Sequence, residues 1–193
     1  MMQLPTSPTM KLPTSPTMKL GLRKSSLYTP TYTVDRLDTR IPPISWADFS
    51  AAPDHTSPWT AHTFWNISYK YKIGFTKGRS SVQMCVVCKL NSATSWVKRK
   101  EDRLLAHERG HYLIGWICAL EFKKRVKEAR LSQVNHWKEI QKIFQETLEE
   151  HLKLEKLYDD ETEHYNNEYK QQQWNIMIAR KLDQLKEHLD SQW

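Results

Sequence analysis

The sequence predicts an α+β fold: a small antiparallel β-sheet packed on one helix, followed by two long C-terminal helices. Three observations carry that expectation. All nine prolines fall at or before Pro58 and all five glycines at or before Gly115, so residues 116–193 contain neither. Residues 65–75 alternate apolar and polar side chains with the period of two that a half-buried strand requires. After about Val97 the apolar residues recur instead three and four apart, the spacing of a helix with a buried face.

The first 24 residues stand apart. Met2-Gln-Leu-Pro-Thr-Ser-Pro-Thr9 is followed by Met10-Lys-Leu-Pro-Thr-Ser-Pro-Thr17, and Met18-Lys-Leu20 begins a third copy. Two prolines per eight residues and little bulky apolar content predict a disordered or polyproline-like tail over 1–24. Residues 25–193 read as a single domain, β-rich over 27–92 and helical over 97–190.

Within the β-rich part, three runs favour strands: Tyr28–Val34, His62–Phe75 and Ser81–Leu90. Thr76-Lys77-Gly78-Arg79 supplies the turn of a hairpin between the last two. Ile41–Phe49 is irregular, with aromatics suited to packing on the sheet. Three helices follow, at about 98–129, 132–157 and 162–189. Without Gly or Pro to mark the joints, the expected breaks are the polar clusters Arg130–Ser132, with Ser132 as N-cap, and Tyr158–Thr162. A folded-back bundle is expected over one long rod, because the apolar spacing is not a regular heptad.

Composition excludes several classes. No stretch approaches the roughly 18–20 apolar residues of a membrane span. Three cysteines cannot build a disulfide framework, and Cys85-Val-Val-Cys88 has no second pair, so core cysteines are expected. Residues 1–100 hold 14 Lys and Arg against four Asp and no Glu, whereas 101–193 hold 15 against 18 acids. The basic half carries no arginine-rich run and no zinc-knuckle spacing, so no nucleic-acid partner is expected. No segment reads as a secretion signal, since prolines and threonines interrupt any apolar region of about 7–15 residues near the start.

His107-Glu108-Arg109-Gly110-His111 is an H-E-x-x-H motif inside a predicted helix. Residues four apart share a helical face, so both imidazoles can reach one metal ion. Glu108 lies beside the first ligand and is rotated around the helix, which suits a base that takes a proton from water without ligating the metal. Leu104-Leu105-Ala106 before the motif and Tyr112-Leu113-Ile114 after it predict a buried helix, where two histidines and a glutamate need partners. Gly110 costs about 1 kcal/mol relative to alanine in a helix, which predicts a close approach there, for instance by a strand.

The third ligand is not given by the motif. An extended pattern would need Gly at 114 and His at 117, and the chain has Ile114 and Ile117. Later candidates are His136, His151, His164 and His188. His164 stands out, at the expected break between the second and third helices, and Glu161 is the alternative. Tyr158 is a candidate transition-state stabiliser, with packing as its ordinary alternative role.

These motifs together resemble the bacterial domain of unknown function 922, a family of predicted secreted zinc-dependent proteases. The resemblance runs from about Ile44 to Leu182. It takes in Ser45-Trp46-Ala47-Asp48-Phe49, Ala61-His62-Thr63, Ser95-Trp96-Val97-Lys98, Leu104–Ile114, Tyr158-Asp159-x-Glu161-Thr162-x-His164, and Gln173-Trp174. The family has Gly where this chain has Tyr165. The resemblance implies a zincin-like metallopeptidase that binds Zn2+ through His107 and His111, uses Glu108 as base and takes its third ligand from Tyr158–His164. It also implies export. The expected function is therefore hydrolysis of peptide bonds in a peptide or protein substrate. The alternative is a catalytically inactive zinc-binding or helical interaction domain.

Overall fold

The computed structural model describes residues 40–189, all of which fall within the unit Tyr32–Trp193. The tandem octapeptide and the expected strand at Tyr28–Val34 lie outside the described residues. In chain order the elements are β1 (Ala61–His62), β2 (Trp65–Thr76), β3 (Arg79–Leu90), β4 (Trp96–Val97), α1 (Asp102–Glu128), α2 (His136–Thr162) and α3 (Glu168–Leu185). Among the described residues the fold is mixed α+β, with two two-stranded antiparallel sheets and three α-helices rather than one small sheet.

The long hairpin is the one the alternation predicts. β2 and β3 pair from Trp65↔Leu90 to Thr76↔Arg79, and the turn residues Lys77 (φ 49°) and Gly78 (φ 73°) both take positive φ. Two positive-φ residues suit the right-handed twist of a two-residue hairpin. Ile67, Met84, Val86 and Cys88 form the buried face. Cys85 and Cys88, three apart on a strand, point to opposite faces, so their spacing cannot make a shared site. Cys88 and Cys118 are buried, as expected of core thiols, whereas Cys85 is half-buried.

α1 is the central element. Every residue from Tyr112 to Lys123 is buried, so burial runs round the helix and is not confined to the expected stripe. The hairpin packs on it, and α2 and α3 pack on it as well. Glu121 is tolerated there through an ion pair with Lys181, and Lys123 donates to the His188 carbonyl at 2.8 Å. Gly115 allows the approach of the hairpin: a Cβ at that position would lie 2.6 Å from the Trp65 ring.

Both helix joints differ in detail from expectation. α2 starts at His136 with Asn135 as its cap residue. Ser132 instead shapes the preceding turn by accepting from Asn135 N at 3.0 Å. The second break is later than Tyr158–Thr162, which is the last part of α2. The helix continues because Tyr158 and Thr162 are buried against α1, with Thr162 Oγ1 donating back to Tyr158 O at 2.6 Å. It ends at Glu163, His164 and Tyr165, all in the left-handed region (φ 51°, 50° and 75°). Tyr165 thus holds the conformation that glycine favours, at a cost of about 1–2 kcal/mol. Asn167 then caps α3, its Oδ1 accepting from Lys170 N at 3.1 Å.

Candidate metal centre

α1 and α2 run antiparallel, so the motif helix faces the last two turns of α2. His107 lies against Asp159 and Thr162, and His111 against Glu155 and Asp159. His107 is 1% exposed and Glu108 4%. His107 Nε2 lies 3.1 Å from Asp159 Oδ1, and His111 Nε2 lies 3.0 Å from the same oxygen. Ligand atoms of His107, His111 and Asp159 all lie within 4.8 Å of one another, a group that could hold a metal ion.

The outer nitrogens are also engaged. His107 Nδ1 sits 3.1 Å from Gln171 Oε1, and His111 Nδ1 sits 3.4 Å from Glu155 Oε1. Both outer partners are acceptors, which assigns the ring protons to Nδ1 and turns the Nε2 lone pairs inward. Gln171 is fixed in turn by donating to Tyr158 Oη at 2.7 Å and Asn175 Oδ1 at 2.9 Å. Trp65 Nε1 donates to Glu155 Oε1 at 2.7 Å, tying the hairpin to the site. Metal-ligating histidines commonly have such outer partners, which fix tautomer and ring orientation.

Two inward lone pairs and a carboxylate oxygen repel one another unless a proton or a cation lies between them. Burial pushes the His111 pKa down, but the bonds to Asp159 and Glu155 outweigh burial and hold it well above the usual imidazole value. Burial alone would raise the Asp159 pKa. Contacts with His107, His111 and His164 outweigh it and keep the carboxyl ionised far below its ordinary range. The residues fit a zinc ion by chemistry and by spacing: tetrahedral nitrogen and oxygen ligands at roughly 2.0–2.1 Å lie about 3.3 Å apart.

The structure places the other expected site residues as follows. His164 Nδ1 lies 3.2 Å from Asp159 Oδ1, so it reaches the centre through Asp159 and is not part of the three-residue group. Glu161 faces α3 instead, where its Oε2 accepts from Trp174 Nε1 at 3.0 Å and Lys170 Nζ at 3.3 Å. Tyr158 is fully buried, donates to the His107 carbonyl at 3.0 Å and stacks on the His107 ring with centroids 4.6 Å apart. Its phenol, with a pKa pushed far up by burial, positions His107 and packs rather than facing a substrate. It is also the close neighbour that Gly110 accommodates, in place of the expected strand.

Glu108 has one partner of note: Thr63 Oγ1 donates to its Oε2 at 2.6 Å. Thr63 follows β1, which pairs with β4 through Ala61↔Val97 and His62↔Trp96. Sequence reasoning favoured His164 within the expected ligand segment Tyr158–His164 and did not single out Asp159, and it missed Glu155, Gln171 and Thr63. The available signal was their spacing, since Glu155 and Asp159 are four apart and share a helical face once α2 is continued to Thr162.

Comparison with known proteins gives no matching family model, no matching curated protein and no matching solved structure. No helix among the described residues is long and apolar enough to cross a membrane.

Proposed function

We propose that this chain is a zincin-like, zinc-dependent peptidase, with His107, His111 and Asp159 holding the ion and Glu108 acting as the base. One observation carries the reading: the inward Nε2 atoms of both motif histidines meet a carboxylate oxygen of α2, while their outer nitrogens are held by Gln171 and Glu155. A solvated His–Glu–His surface would need no such backing.

When bound, zinc supplies Lewis acidity, polarising a scissile carbonyl and bringing the pKa of a water towards about 7. The remaining chemistry belongs to the chain. Thr63 engages Glu108 Oε2 and leaves Oε1 to take a proton from the attacking water as its oxygen bonds to the carbonyl carbon. Glu108 then gives that proton to the departing amine as the C–N bond breaks. Tyr158 and Gln171 keep the His107 ring and backbone in place throughout.

The test is the Glu108→Gln variant assayed on a mixture of quenched-fluorescent peptides. The variant keeps shape and metal ligands but has no base, so hydrolysis falls by about 10²–10⁴-fold with zinc content unchanged. Equal activity of variant and parent would overturn the assignment of the base.

A further inference from the structure

Trp59 is a large apolar residue left 42% exposed, yet it is not on a loose loop. Asp54 Oδ1 accepts from Thr56 N at 2.9 Å and from Thr56 Oγ1 at 2.6 Å. Trp59 N donates to Ser57 Oγ at 3.2 Å, Lys98 Nζ donates to Ser57 O at 2.5 Å, and Lys98 N donates to Thr60 O at 2.7 Å. The segment is therefore stapled to the end of β4 on both sides of the indole.

The indole also approaches the candidate centre through His164. Its ring lies 3.8 Å from the His164 ring, centroid to centroid, at 34°. His164 Nδ1 is in turn 3.2 Å from Asp159 Oδ1. One ring thus separates a fixed, half-open indole from the metal-binding group.

Resting on the peptidase reading above, we propose that Trp59 is the floor of a substrate subsite that takes an apolar, preferentially aromatic, side chain adjoining the scissile bond. A fixed indole gives large contact area at little entropy cost and favours offset or edge contact with a second ring.

The experiment uses the zinc-loaded full chain and peptides that differ only in one residue beside the cleaved bond, set to Phe, Ala, Lys or Glu. The expected result is a preference for Phe over Ala of about five- to ten-fold in kcat/KM, carried by KM. Trp59→Ala loses that preference, so that the Phe and Ala peptides are cleaved with equal kcat/KM, while zinc content is retained. Trp59→Leu, which retains apolar bulk, keeps part of the preference and guards against misfolding of the alanine variant. Trp137→Ala, which removes an indole of similar exposure (51%) on α2, changes nothing. Retention of the Phe preference in both Trp59 variants, or a preference for Lys, overturns the subsite. Cleavage without any preference overturns it while leaving the peptidase reading intact, whereas cleavage of no peptide at all overturns both.

Discussion

The hydroxyl of Tyr158 occupies the space where a side chain at position 110 would begin. A Cβ built on Gly110 would overlap the Tyr158 oxygen and lie 2.6 Å from its Cζ. This contact sets how near α2 comes to the motif helix, and so whether Asp159 reaches His107 and His111. The same phenol bonds the His107 carbonyl, so the contact also fixes one ligand.

Gly110→Ala therefore acts on both stability and metal binding. Backbone propensity alone would favour alanine by about 1 kcal/mol, but overpacking in a buried contact costs about 1–3 kcal/mol. The net expectation is destabilisation, read as a lower urea midpoint, together with weaker zinc retention in competition with a chelator. A stabilised variant would contradict the close approach.

Glu155 lies outside the group that would hold the ion, yet it faces His111 Nδ1 and so orients the ring that presents Nε2. Glu155→Gln weakens the acceptor facing His111 Nδ1, and it leaves the Trp65 bond available. Zinc affinity falls by about 10- to 100-fold, the usual cost of losing an outer partner. Titration with a competing zinc chelator measures it. Gln171→Leu does the same through His107 Nδ1, and unchanged affinity in both variants would contradict the assignment of tautomers.

His151 links stability to pH. Burial depresses its pKa below the ordinary 6.5, against a smaller opposing effect of its hydrogen bond to the Thr147 carbonyl. The unfolded chain therefore takes up a proton first as pH falls. Stability is lost from about pH 6.5 downward and stops falling once the depressed pKa of the folded state is passed. Above about pH 6.5 this group contributes no slope. Melting temperatures between pH 7.5 and 5.5 should drop more steeply for the parent than for His151→Gln. Comparing the two proteins separates His151 from His111, whose shift has the opposite sign.

The hairpin and the motif helix were legible because each has a local cause. Alternation over 65–75 and the Lys77-Gly78 turn need no distant partner, and neither does the four-residue spacing of His107 and His111. Asp159 was legible only as a member of the expected ligand segment Tyr158–His164, for a physical reason: that segment was read as a break, among acids that suit an exposed helix start. In fact the helix is extended through Thr162 by burial of Tyr158 against Gly110, a tertiary effect with no local signature. His164 attracted attention as the histidine of that segment, and it does lie near the centre. The left-handed run over Glu163–Tyr165 brings its Nδ1 to the same Asp159 Oδ1 that both motif histidines face, outside the three-residue group.

The most direct test of the central claim is the zinc-to-protein ratio of the purified full chain, measured by inductively coupled plasma mass spectrometry. The account predicts one zinc per chain, retained through dialysis and lost in His111→Gln and Asp159→Ala. A ratio near zero in the parent chain after incubation with zinc, or a full ratio in both variants, would contradict it.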